Sequence, residues 1–303
     1  MAVLNDRAHP NLQQMLATTQ LAALPQSAIR LLELSRDPNC GPADYAEPIE
    51  ADPGLAGQVL KFVNSSYFGF SRKISGVKVG ISLVGVRTIK NFALWNAVFS
   101  LAPNPRCGPF DLKSVWQDSL RRAIFARAVA KLQGLKTMEE IFTAALLQDM
   151  AVPLLAKEFP QAYIKLLEAR DQGRHRLSGL EEETFGWTHG QAAGLLARQW
   201  NLPEEFAAMI EGHSGSTADN KNPVEPGRHI VALSALLPSA ADPFWVECSQ
   251  WEEVLRQICP SVASPAGLLN QIDQEFNEFA PVLKLATPAK SLVESHQEAV
   301  VPA

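Results

Sequence analysis

The chain has 303 residues, of which 47% are apolar and 19% charged; this is the balance of a folded globular protein and excludes a disordered one. Its net charge of −5 argues against a general nucleic-acid-binding surface. Four cysteines, Cys40, Cys107, Cys248 and Cys259, lack CxxC spacing, so neither a zinc knuckle nor a disulfide framework is indicated and reduced thiols are expected.

The first residues, MAVLNDRAHPNLQQML, lack an apolar core of signal-peptide length. In LPQSAIRLLELSRD, Ala28, Leu31, Leu32 and Ser35 follow i, i+3, i+4, i+7 spacing, and Pro25 suits a first helical turn. In DPGLAGQVLKFVNSS, Asp52 can cap a helix that Pro53 begins, with Leu55, Val59, Phe62 and Val63 as its buried stripe. Asn64, Ser65 and Ser66 can close that helix, and Gly69 suits a left-handed turn. Tyr67, Phe68 and Phe70 then offer aromatic surface, read either as packing against a neighbouring helix or, together with Asn64, as a partner-binding patch.

Further helices are predicted at roughly 86–100, 111–132, 137–156, 188–200, 203–212, 226–237 and 264–279. The stretch LAPNPRCGPFDLKS carries three prolines and a glycine that no helix can cross. It suggests an N-terminal helical subdomain (1–101), a Pro-rich connection (102–110), a second helical subdomain (111–240), and C-terminal helices with a tail that frays from about Thr287 (241–303). The longest apolar run, IVALSALLPSAA, is too short for a bilayer and is broken by Pro238. An all-α, cytoplasmic, non-membrane protein is expected.

Asp118, the Gln148-Asp149 pair, His189 and His213 all fall on or beside predicted helices, where they can converge inside a bundle. Carboxylate and imidazole donors of this kind bind Zn, Mn or Fe, although each residue alone has an ordinary structural explanation.

The ordered segments LAALPQSAIRLLELSRD, IEADPGLAGQVLKFVNSSYFGF, ISGVKVGISLVGVRTIKNFAL, VWQDSL, ALLQDMA and EEETFGWTHGQAAGLLARQWNLPEEFAAMIEGHSG closely resemble the HDOD family, the HD-related output domain of bacterial signal-transduction proteins. The resemblance covers roughly residues 15–240 and implies an all-α bundle related to the HD-domain, phosphodiesterase-like fold. The HD phosphohydrolases that this family resembles hold metal with histidines and an adjacent His-Asp pair. Asp118 stands where they have the first histidine, and Gln148 where they have the histidine of the pair, with the aspartate retained as Asp149. His189 and His213 match later histidines, but Ser214 follows where relatives often repeat histidine, and the late aspartate aligns with Ser234 or Ala235.

The resemblance therefore implies a degenerate site without metal or other cofactor and without catalytic residues, since an amide is a weak neutral ligand and no metal-activated water remains. Gln148 and Asp149 are expected to be a polar pair held by hydrogen bonds. The expected function is a non-catalytic signalling module acting on protein partners. The alternatives are a nucleotide-like ligand bound in the old cleft, where Arg121, Arg122 and His189 could meet phosphates, and a metal-dependent phosphohydrolase.

Overall fold

A computed structural model describes residues 12–13, 24–34, 37, 39–215 and 226–300. Among the described residues there is no strand, and no helix is long and apolar enough to cross a membrane. The chain divides into two compact units: a smaller one of residues 22–102 and 274–287, and a larger one that includes 103–273 and 288–303. The segment 102–110 is non-helical and belongs to the larger unit from residue 103 on.

The smaller unit contains α1 (Gln26–Leu34), α2 (Pro42–Glu50), α3 (Pro53–Val63), α4 (Val77–Val84) and α5 (Val86–Leu101). Asp52 caps α3 by accepting the Leu55 amide at 3.0 Å, and Leu55, Val59, Phe62 and Val63 are its buried residues. Ala28, Leu31 and Leu32 are buried on α1, while Ser35 lies outside the described residues. α4 and α5 meet at Gly85, whose φ of +97° favours glycine.

Asn64 closes α3. Its side-chain amide donates to the Leu60 and Ile74 carbonyls and accepts from the Ile74 amide, each at 2.7 Å. The ring of Phe62 stacks on Phe92 at 4.2 Å and meets Phe68 and Phe279 edge-on. Tyr67 packs edge-on against Phe68 and Phe279, and its hydroxyl donates to Glu275 at 3.2 Å. Asn64, Tyr67 and Phe68 are thus half-buried and engaged within the unit, whereas Phe70 is 37% exposed.

In the larger unit, α6 (Leu112–Leu132) is capped by Asp111 and packs along α7 (Met138–Leu147). It continues through α8 (Val152–Glu158), α9 (Pro160–Ala169), α10 (Leu177–Phe185), α11 (His189–Gln199) and α12 (Glu204–Gly212). Next come α13 (Pro226–Ser234), α14 (Cys248–Ile258), α15 (Pro265–Phe279), which passes into the smaller unit from residue 274, and α16 (Leu292–Val300). α13 packs on α6, α7 and α12.

Two sequence expectations need correction. The single helix expected over 137–156 is two helices, interrupted by turns at Gln148–Ala151. Pro153 explains the interruption: it sits in the first turn of α8, where its missing N–H costs nothing. The tail does not fray as a whole. α16 is fastened by Asp273, whose carboxylate accepts the Leu292 and Val293 amides at 3.0 and 3.1 Å, and Leu292 and His296 are buried. Periodicity alone also passed over α2, α4, α9, α10 and α14.

Candidate functional site

The larger unit holds a cleft of about 130 Å³ into which the ends of several helices project. Asp118 and Arg122 lie four residues apart on α6, and so share one face. The turn after α7 carries Gln148 and Asp149. His189 is the first residue of α11, held by Thr188, whose hydroxyl accepts the Gln191 amide while Gln191 bonds back to Thr188. His213 follows the end of α12.

The approach of α11 to α12 sets the distance between these histidines. A Cβ placed at Gly194 would stand 2.7 Å from Glu211 Cβ, and one at Gly190 would stand 2.2 Å from Ser214 Oγ. Only glycine allows that contact. His189 Nε2 consequently lies 3.1 Å from His213 Nε2, and Asp149 Oδ1 lies 3.3 and 3.5 Å from these two nitrogens.

Each imidazole is oriented from behind. Glu181 on α10, fully buried, accepts both the His189 amide at 2.7 Å and His189 Nδ1 at 2.6 Å, while its other oxygen accepts from Tyr163 at 2.6 Å. His213 Nδ1 is 2.5 Å from the Ile210 carbonyl oxygen. Burial pulls the His189 pKa down, but the Glu181 and Asp149 carboxylates outweigh it and raise it to about 9. At His213 burial wins and the pKa falls. Burial opposes ionisation of Asp149, yet the Arg122 guanidinium, bonded to Asp149 Oδ2, and the two histidines hold its carboxyl well below the usual range.

The remaining expected positions have gone elsewhere. Asp118 accepts from the Ser239 hydroxyl and the Ala240 amide, both at 2.6 Å, so it fastens a loop instead of joining the histidines. Burial raises its pKa. Gln148 and Asp149 are both buried and hydrogen-bonded, but to different partners. Gln148 turns to Ser234, donating at 3.4 Å to a hydroxyl that itself donates to the Val231 carbonyl. Arg121 does not line the cleft but donates to the Lys290 carbonyl at 2.6 Å. Arg122, Arg170, Arg176 and His175 do line it, alongside Phe110 and Phe244. Sequence reasoning missed Glu181, hidden in the run EEE, and the ion pair of Arg122 with Asp149, which is non-local and has no signal in the sequence spacing.

The donor set tests what metal this site could take. Asp149, His189 and His213 present one oxygen and two nitrogens within 4.8 Å of one another, and the Nδ1 contacts behind both imidazoles are those that ligating histidines use. One ion fits. A dinuclear centre does not, because Gln148 and Ser234 offer an amide and a hydroxyl bonded to each other and Asp118 is committed to its loop.

The HDOD domain family model matches residues 21–216. The chain belongs to the HDOD family. An uncharacterised protein of Treponema pallidum is 26% identical over 217 residues, which is 67% of this chain but 41% of that protein. An HDOD domain protein of unknown function from Geobacter sulfurreducens superposes with a TM-score of 0.65 at 19% identity, over 94% of this chain and 89% of its own. A protein from Marinobacter aquaeolei, provisionally named for signal transduction, gives 0.68 at 21% over 92% and 61%. A protein from Shewanella amazonensis, provisionally named a phosphohydrolase, gives 0.63 at 19% over 95% and 97%. These structural likenesses concern the fold.

Proposed function

We propose that this HDOD domain is a non-catalytic signalling module: its HD-like unit serves as scaffold and its contacts with protein partners carry the signal. The observation that carries this reading is that Gln148 offers only a neutral amide, while Asp118 and Ser234 are bonded to the protein itself, at or beside positions where the resembled enzymes hold metal. Without a second ion, a phosphoryl group loses the clamp that stabilises both attacking and leaving oxygens. If one ion bound, Asp149, His189 and His213 would hold it, and it would supply Lewis-acid polarisation at a single point. Glu181 would keep His189 oriented, and Arg122 would stay as a fixed positive charge beside the carboxylate. On the smaller unit, Phe70, Val79 and Leu83 are apolar side chains exposed by 37%, 53% and 52%, and they support an interaction role.

The test is a phosphodiesterase assay on the full chain, with cyclic dinucleotides and a chromogenic diester, in added Mn²⁺ and Fe²⁺. No turnover above the metal-only background is expected. Turnover that disappears in Asp149→Ala would overturn the reading. A second reading, binding of a nucleotide-like ligand without turnover, draws on Arg122, Arg170 and Arg176 around one cleft. Arg170 already pairs with Asp242, and Arg176 lies 3.6 Å from Glu247, so a phosphate would have to displace carboxylates. That cost ranks it second.

A further inference from the structure

We infer that Arg122 is a resident cation standing in for a metal ion, and that its presence keeps Asp149, His189 and His213 from holding one divalent ion tightly. The inference rests on the reading of the old centre as retired, and it explains what retired the ligands that remain. Three facts carry it.

First, the three donor atoms are already gathered, with Asp149 Oδ1, His189 Nε2 and His213 Nε2 mutually 3.1–3.5 Å apart. Their backs are fastened by Glu181 and the Ile210 carbonyl. Assembling a site is therefore not the obstacle. Secondly, the other oxygen of the same aspartate, Oδ2, is taken by Arg122 Nη1. A carboxylate that already answers a guanidinium is a poorer ligand, and a fixed positive charge a few ångströms away repels an incoming divalent ion. At protein-like permittivity that repulsion is large enough to lower affinity by about 10- to 100-fold. Thirdly, Arg122 is not held by a full set of its own bonds. Its Nε is buried without a hydrogen-bond partner among the described residues. Besides its bond to Asp149, what holds it is charge: it lies within the field of Asp149, Asp118 and Glu247. Removing the guanidinium would leave these buried carboxylates with less positive charge, His189 alone facing Asp149, and a divalent ion would restore it.

The experiment uses the full chain, stripped with a chelator, as wild type, Arg122→Gln, Arg122→Lys and the double variant Arg122→Gln/His213→Ala. Each is titrated with Co²⁺, reading the visible absorption of the bound ion, the calorimetric stoichiometry and the melting temperature. Arg122→Gln should bind one Co²⁺ per chain about 10- to 100-fold more tightly than wild type. Arg122→Lys, which keeps the charge, should stay near wild type, and the double variant should lose the gain. If Arg122→Gln melts too low when metal-free, added Co²⁺ should restore its cooperative transition. Equal affinity of wild type and Arg122→Gln overturns the inference, as does failure of Co²⁺ to bind or rescue Arg122→Gln, or a gain that survives loss of His213. Turnover by the wild type would end the functional reading but leave this affinity ratio to be decided by the titration.

Discussion

His189 is held from both sides. Its imidazole lies between two carboxylates, Glu181 behind and Asp149 in front, and its pKa rises to about 9 from an ordinary 6.5. The sign follows: a raised folded-state pKa stabilises the protein fully below about pH 6.5, and the stabilisation is lost as pH climbs through about 9. The wild type in chelator should therefore lose roughly 3.5 kcal/mol between these values, at about 1.4 kcal/mol for each pH unit separating 6.5 from 9. His189→Gln should flatten that slope. Chemical denaturation at pH 6.5 and 9.5 decides it, and equal slopes for both proteins would show that His189 is not the titrating group. The sequence named His189, Asp149 and His213 together as residues that could converge. It could not show that Asp149 faces Arg122 on one side and both histidines on the other, because that depends on where α6, α11 and α12 meet.

At the scale of elements, the spacing of α11 and α12 is written in two glycines. HGQAAG places Gly190 and Gly194 one helical turn apart on α11, and Gly194 lies against Glu211 with no room for a methyl group. Gly194→Ala should cost about 1–3 kcal/mol through overpacking, despite the better helix propensity of alanine. Thermal melting measures this, and an unchanged or raised melting temperature would mean that the helices separate freely. The Asp52 cap and the Leu55, Val59, Phe62, Val63 stripe were legible because capping and 3.6-residue periodicity act within one segment. α2 was not, since Pro42 and Pro48 fall within its nine residues. Nor was the break after Leu147, whose apolar pattern runs on into Val152 while the chain turns at Gln148–Ala151.

For the whole molecule, helical periodicity along the chain pointed to the all-α class, and the C-terminal segment was misjudged. Its apolar content is low, but Asp273, distant in sequence, caps α16, and Arg121 bonds to the carbonyl of Lys290 just before it. A single apolar anchor, Leu292, is fully buried. Leu292→Ala should destabilise by about 2–5 kcal/mol. A denaturation midpoint equal to wild type would restore the frayed tail. The amide of Asn64 has a different consequence. By holding both ends of the turn between Asn64 and Ile74, it fixes the stretch that carries Phe70 before any partner arrives. A partner of the proposed kind would meet a surface whose backbone is already ordered, so what this chain still has to lose is side-chain freedom, about 0.5–1.5 kcal/mol for each side chain immobilised.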